Sequence, residues 1–339
     1  MLYYKDLEEI IFAHHELLSE DPDELIIISG YLGPSPINRL NELNFDVTVI
    51  GGMYTGGINS KLWETLKKIN DENPRLKIMF ASEEIHAKAY LWKKNNRVLS
   101  ALIGSANFSS NGLRSDYREI LADASRDTFN ALIDYYNYIE SNSIQNPNLK
   151  ENTTREEIEI EPTEEVSEKY DLKYSCDLPL YSLRQHKVQE KSGLNWGLAG
   201  GNVADGDAYI ALTKQIIKDN PNLFKPYDEN YQPTSAKKRN SDPIELIWDD
   251  GVIMPASFEG SHEINGLNYP KQLASYSAKP PKLNGNPISA KSILGRYLRK
   301  RLGVPIDYLI TMDDLNKYGR NNITLSLIEE GVYYADFSV

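Results

Sequence analysis

Through the first 140 residues, short apolar runs alternate with amphipathic stretches. LIIISGYL (25–32), VTVIGGM (47–53) and LKIMF (76–80) are dense in β-branched residues and read as strands, while NRLNEL and SKLWETLKKIN between them have helical spacing. In MLYYKDLEEIIFAHHELLSE, Leu7, Ile10, Ile11 and Leu17 recur as on one face of a helix, so a first helix is expected there. This βαβ rhythm predicts a mostly parallel sheet covered by helices. IHAKAYLWKKNNRVLSALIGSANFSSNGL (85–113) then reads as a hairpin buried on both sides and turning at Asn95-Asn96, followed by a strand at YREILADA and a helix from about Asp127 to Ile139.

From Ser141 to about Asp171 the chain turns polar and acidic, as linkers do. Beyond Tyr174 the pattern changes to short strands broken by turns: DAYIALT, IELIW before Asp249-Asp250-Gly251, YLITMDDL, ITLSLI and GVYYADFSV. Two stretches have helical spacing, Ser289 to Leu302 and residues 313–319. The expected organisation is an α/β domain over 1–145, an acidic linker over 146–172 and a mainly β, barrel-like domain over 173–339.

Composition narrows the function classes. The chain has 339 residues, 40% hydrophobic and 25% charged, with no apolar run of bilayer length, which argues against a membrane-embedded enzyme. Its first residues lack the basic start of a signal peptide, and a single cysteine, Cys176, forms no intrachain disulfide; both fit a cytoplasmic location. The net charge of -12 argues against a nucleic-acid partner until its distribution is read. Between Glu151 and Asp171 nine acidic residues face only Arg155 and Lys169, whereas Lys279 to Arg301 carries seven basic residues and no acidic one. That is a basic footprint on an acidic protein.

The chemistry concentrates in His86-x-Lys88, Gly104-Ser105-Ala106-Asn107 and Glu119. On a strand, residues two apart share a face, and a returning neighbour strand would end beside them. Such a set suits a phosphodiester. A neutral imidazole attacks phosphorus, an ammonium and an amide bind the nonbridging oxygens, and a carboxylate fixes the imidazole tautomer, with no metal or other cofactor required. An isolated H-x-K is ordinarily just a solvated strand face. H-x-K followed after a strand-length interval by G-S-x-N resembles the phospholipase D superfamily. The resemblance implies a histidine nucleophile at His86, phosphate contacts from Lys88 and Asn107, support of the histidine by Glu119, and a further phosphate or histidine contact from Ser105. The family pattern H-x-K-x-x-x-x-D would place an acid at position 93, where this chain has Lys93. The chemistry also needs two imidazoles, nucleophile and acid, and one motif per chain implies a homodimer sharing a site. His14-His15 read as surface or dimer-packing residues, Glu83-Glu84 as an exposed turn, and Gly51-Gly52 with Gly56-Gly57 as a flexible loop near the site. No Cys/His spacing suggests zinc.

The second half carries a further resemblance. KSGLNWGLAGGNVADGDAYI (191–210), IWDDG (247–251), ILGRYLRKRLG (293–303), ITMDDLNKYGR (310–320) and EGVYYADFS (330–338) together resemble the carboxy-terminal half of NgoFVII-like restriction endonucleases, similar to the pseudobarrel DNA-binding domain of plant auxin-response factors. The whole then reads as an α/β phospholipase D-like sandwich followed by a mainly β pseudobarrel, a restriction endonuclease acting on double-stranded DNA. Some relatives work with a separate helicase-like ATPase subunit, so such a partner enters the expectation. Two arms would grip DNA, the first at Gln189 to Trp196, the second around Lys279 to Asn286. Asn195, Asn284 and Asn286 are the expected base or backbone contacts, Ser192, Lys279, Lys282 and Arg296 the expected phosphate contacts. Gln189 and Trp196 belong to the first arm, although a tryptophan between glycines also suits the plug of a barrel end. At least half of the cluster Arg296, Arg299, Lys300, Arg301 reads as a solvated helix face. The rival readings are a lipid phosphodiesterase or phosphatidyl transferase, which calls for membrane anchors, and a noncatalytic dimeric DNA-binding regulator.

Overall fold

A computed structural model of the chain describes residues 1–150, 174–227, 241–277 and 281–339. Its contacts divide into two compact units, Met1–Leu172 and Lys173–Val339. The acidic stretch from Glu151 to Asp171 lies outside the described residues, as does Lys279.

In the first unit, chain order gives β1 (Leu2–Tyr3), α1 (Leu7–Ala13), β2 (Glu24–Ser29), α2 (Pro34–Arg39), β3 (Asp46–Gly51), α3 (Ser60–Glu72), β4 (Leu76–Ala81), β5 (Ala89–Lys94), β6 (Arg97–Gly104), α4 (Ser110–Leu113), β7 (Leu121–Asp123), α5 (Phe129–Ser141) and β8 (Ser143–Ile144). The strands form one sheet in the order β1-β7-β6-β5-β2-β3-β4-β8. Leu25 to Ile28 of β2 are all fully buried, because the strand is covered on both faces. Ile26 and Ile28 pack with Tyr136 and Ile139 of α5, and Leu25 and Ile27, on the alternate face, meet the opposite layer.

Only β2, β3 and β4 pair in parallel; β5, β6, β7, β1 and β8 all join antiparallel. The expectation of a mostly parallel sheet is corrected for a topological reason. Parallel neighbours need a crossover, which α2 and α3 supply, whereas two residues join β5 to β6. That turn is at Asn95-Asn96, both with positive φ (49° and 63°), as a two-residue hairpin of this hand requires. The first helix is also shorter than expected. It ends at Ala13 and continues as a 3-10 turn over His14–Leu17, leaving Leu17 exposed.

The second unit runs β9 (Ser175–Pro179), β10 (Ile210–Ala211), α6 (Lys214–Asp219), β11 (Ser241–Trp248), β12 (Ile253–Glu259), β13 (His262–Ile264), β14 (Leu267–Tyr269), β15 (Gln272–Ser275), β16 (Lys282–Leu283), β17 (Asn286–Pro287), α7 (Ser292–Leu302), α8 (Met312–Tyr318), β18 (Asn322–Glu329) and β19 (Val332–Asp336). Seven strands form a sheet in the order β10-β15-β12-β11-β19-β18-β9, whose two edge strands touch, so it nearly closes on itself. Trp248, Phe258, Leu298, Leu325 and Phe337 fill its core. YLITMDDL is not a strand: Thr311 and Asp314 form a reciprocal capping box that starts α8 at Met312. The short α6, capped by Thr213, adds a helix that the apolar pattern does not announce.

Candidate functional site

The register of the first sheet builds one rim. Ile28 of β2 lies opposite Ala89 of β5, Ala89 opposite Ile103 of β6, and Ile103 opposite Ala122 of β7. Immediately past that row lie residues 29–31, 86–88, 104–107 and 119–120. His86 and Lys88 precede β5 and are not part of it, so the alternation of a strand does not set their directions. His86 is exposed and Lys88 buried. The Lys88 Nζ donates to the His86 backbone oxygen at 2.7 Å. Among the described residues no hydrogen-bond partner engages the His86 imidazole.

Lys88 and Asn107 converge on Gly30. A Cβ placed there would lie 3.1 Å from Asn107 Oδ1 and 3.4 Å from Lys88 Nζ. Asn107 Oδ1 accepts from the Tyr31 amide at 3.2 Å, which leaves Nδ2 for a ligand. Burial holds the Lys88 ammonium below the ordinary lysine range, against a smaller upward pull from the Glu119 carboxylate.

Ser105 and Glu119 pair with each other. The Ser105 hydroxyl donates in a short bond to Glu119 Oε2 and accepts from the Ile120 amide at 3.1 Å. Among the described residues the bonded partner of Glu119 is Ser105, where an imidazole was expected. Glu119 also sits in the loop before β7, two residues short of the strand. The glycine of G-S-x-N has a packing cause, since a Cβ on Gly104 would lie 2.1 Å from the Ile120 oxygen. Sequence reasoning missed Ser29, Gly30 and Tyr31. Their signal was available, a small polar break directly after a buried apolar run, as in GSAN after β6.

In the second unit the expected contacts separate sharply. Lys282, Asn284 and Asn286 are exposed on the β16–β17 hairpin, whose turn residues Asn284 and Gly285 have positive φ. Gln189 bonds Gln185 at 2.9 Å, Ser192 is half-buried, and Trp196 packs edge-on against Tyr209. Among the described residues Arg296 makes only long contacts, to Ser292 Oγ at 3.4 Å and the Asp205 oxygen at 3.5 Å.

Asn195 is a correction. It is fully buried, donates to the Gln189 and Ile310 oxygens (3.0 and 2.8 Å), and accepts from the Ile310 amide (3.0 Å) and Arg299 (3.3 Å), so its amide is spent inside the unit. The arginine cluster is a solvated face only in part: Lys300 is exposed and Arg296 half-buried. Arg299 is buried, and its guanidinium donates to the backbone oxygens of Leu194 and Tyr308. Arg301 forks onto Asp249 at 3.0 and 2.8 Å and also bonds Tyr297, Tyr318 and the Phe337 oxygen. Lys291 pairs with Glu259. The basic footprint is therefore narrower than its count of cations.

Residues 5–152 match the NgoFVII restriction endonuclease N-terminal PLD domain, PLD denoting phospholipase D, and residues 168–329 match the NgoFVII C-terminal B3-like DNA-binding domain. The chain belongs to the NgoFVII restriction endonuclease family. Its first unit is thus a phospholipase D-like α/β fold and its second a B3-like, mainly β pseudobarrel. Comparison with curated proteins gives no match. Similar solved structures include NucT from Helicobacter pylori (18% identity, 43% of this chain and 97% of that one, TM-score 0.31). Nuc from Salmonella typhimurium, a phospholipase D family member, is 8% identical over 37% of this chain and 83% of that one (TM-score 0.27). Polyphosphate kinase from Porphyromonas gingivalis is 9% identical over 44% and 23% (TM-score 0.27). Membership in the NgoFVII family supports a DNA nuclease. In this member Lys93, standing where the wider superfamily pattern has an acid, is buried and paired with Glu24 at 2.8 Å, directly across from it on β2. Among the described residues no cluster of three or more His, Cys, Asp or Glu is arranged to hold a metal ion, and no helix is long and apolar enough to cross a membrane.

Proposed function

We propose that the chain is a homodimeric, site-specific deoxyribonuclease that hydrolyses a DNA phosphodiester through a phosphohistidine at His86, without a metal ion. The observation that carries this reading is an exposed imidazole on the rim where the Lys88 ammonium and the Asn107 amide converge. A neutral His86 nitrogen attacks phosphorus as the bond to the leaving sugar oxygen breaks, and a second imidazole protonates that oxygen. Water then attacks phosphorus, the P–N bond breaks, and the second imidazole, now the base, takes the water's proton. Lys88 and Asn107 bind the nonbridging oxygens through both steps. Glu119, held by Ser105, balances the Lys88 charge.

The second imidazole is assigned to the partner's His86. Within the first unit, His14 bonds Ser100 at 2.8 Å and stacks on Trp92, and His15 packs on Phe45. Both are committed away from the rim. Sequence reading is assigned to the second unit. The exposed hairpin supplies Lys282, Asn284 and Asn286, and Gln189, Ser192, Trp196 and Arg296 form the other side of the grip. Lys279 completes the assignment from outside the described residues.

A plasmid digest in EDTA with sequencing of the product ends is the test. Defined ends, and a His86→Ala variant that binds the same duplex without cutting, are expected. Loss of cutting in EDTA would remove the metal-independent step, and a strictly monomeric state on DNA would remove the shared site. DNA binding with no cutting by the intact protein favours the noncatalytic regulator. Cutting without ATP dispenses with a helicase-like subunit. A lipid phosphodiesterase is disfavoured by the B3-like DNA-binding domain.

A further inference from the structure

Asn107 is held from one side by a segment that neither motif contains. Ser29 is fully buried at the end of β2. Its hydroxyl donates to the Tyr31 oxygen at 2.6 Å and accepts from the Phe108 amide at 2.9 Å. The Tyr31 amide donates to Asn107 Oδ1 at 3.2 Å, Leu32 bridges Phe108, and the Gly33 amide donates to the Phe108 oxygen at 2.8 Å. Residues 29–33 are thus laced to 107–108 along their length. Because Oδ1 is the acceptor in that lacing, the orientation of the Asn107 amide is fixed and its two N–H donors face away from Tyr31.

Gly30 sits inside this lacing. A side chain there would press on Asn107 Oδ1 at 3.1 Å, Met53 Cγ at 3.3 Å and Lys88 Nζ at 3.4 Å. Its φ is outside the left-handed region, so no backbone requirement accounts for the glycine.

We propose that the loop closing β2 is a third wall of the phosphate cradle: Ser29 and the Tyr31 amide are positioning groups that aim the Asn107 N–H donors at a nonbridging oxygen, and Gly30, lacking a Cβ, lets Asn107 Oδ1 and Lys88 Nζ close on the loop in that orientation. The proposal rests on the phosphodiester reading of the rim. It adds that the cradle depends on residues 57 or more positions before Asn107 and Lys88 in sequence. An amide free to rotate presents its oxygen to the phosphate half the time and repels it, so fixing the amide matters more than supplying it.

The test uses full-length protein and two readouts. Inorganic phosphate binding is followed by 31P line broadening, and single-turnover cleavage is measured at saturating DNA. Gly30→Ala is expected to lower the cleavage rate about 10²–10³-fold, the loss typical of one missing oxyanion donor, and to weaken phosphate binding, with thermal midpoint and DNA affinity unchanged. Ser29→Ala is expected to cost less, and to cost nothing further once Asn107→Ala is present. Equal phosphate binding by wild type and Gly30→Ala overturns the proposal, as does a wild type that binds no phosphate, or a Ser29→Ala loss that adds fully to that of Asn107→Ala. Phosphate binding that is sensitive to Gly30 in a protein that does not cut DNA leaves the cradle standing and removes the nuclease reading instead.

Discussion

The Lys88 ammonium donates to the backbone oxygen of His86, two residues back, at 2.7 Å. The cation that would neutralise a phosphate is thereby tied to the main chain of the residue that would attack it. Burial lowers the Lys88 pKa, so this cation is lost at a lower pH than a surface lysine loses its own. Single-turnover cleavage is expected to fall with rising pH through that lowered value. Lys88→Arg, charged throughout, is expected to lose the alkaline limb. Lys88→Met is expected to cost about 10²–10³ in rate. A limb that persists unchanged in the arginine variant assigns it to another group.

Glu119 pulls the Lys88 pKa upward, against the larger effect of burial. Removing its charge in Glu119→Gln removes that pull, so the alkaline limb should move to still lower pH. The pH–rate profile of Glu119→Gln beside wild type measures this; a limb that stays put or moves upward contradicts it.

Among the described residues the β16–β17 hairpin has two short strands and no third neighbour. Such ribbons are marginal alone and gain by being gripped. Lys282→Ala is expected to weaken binding alike for cognate and unrelated duplexes and to reduce the slope of log K against log salt by about 1. Asn284→Ala or Asn286→Ala is expected to narrow the gap between cognate and unrelated duplexes by about 1–3 kcal/mol. Titrations of both duplexes at several salt concentrations separate the two outcomes.

Arg301 and Asn195 should behave oppositely to that hairpin. Breaking the Arg301–Asp249 fork leaves a carboxylate without its cation, which costs about 3–5 kcal/mol. Asn195→Ala strands the Ile310 amide and an Arg299 donor. Urea unfolding should show both losses, with the salt slope of the residual folded protein unchanged.

In the first unit, Glu8 lies buried against Arg114 and Arg39. Burial alone would raise its pKa, but the two guanidinium groups outweigh that and hold it below the usual carboxylate range. A depressed carboxyl contributes stability that is present above its unfolded pKa and is lost as pH falls through the folded value. Glu8→Gln should therefore cost about 3–5 kcal/mol near neutral pH and flatten the acid side of the stability profile, measured by urea melts at a series of pH values.

Much of this architecture was legible because local chemistry dictated it. The Asn95-Asn96 turn, the apolar run of β2 and the small residues of GSAN each admit few structures. The H-x-K and G-S-x-N motifs reach one rim because strand register carries them there. What the sequence hid depends on distant partners. Asn195 and Arg299 read as polar surface until Ile310 and Tyr308 are found beside them, and Arg301 reads as a free cation until Asp249 closes on it. Glu119 was expected beside the imidazole, and nothing in its neighbourhood announces that Ser105 engages it first. Ser29 and Gly30 stayed unseen because their importance lies in Asn107, far along the chain.

Arg299 has a mechanical meaning for the first arm. Among the described residues its charge is met by carbonyl and amide dipoles and by no bonded carboxylate, so it works as a rivet driven from α7 into Leu194 and Asn195. The root of the arm is fastened to the barrel at that point, and Asn195 ties the Gln189 oxygen to it as well, so under the proposed DNA-gripping role any travel of Ser192 would be taken up between those two fixings, as flexing of a short span and not as a swing of the whole segment.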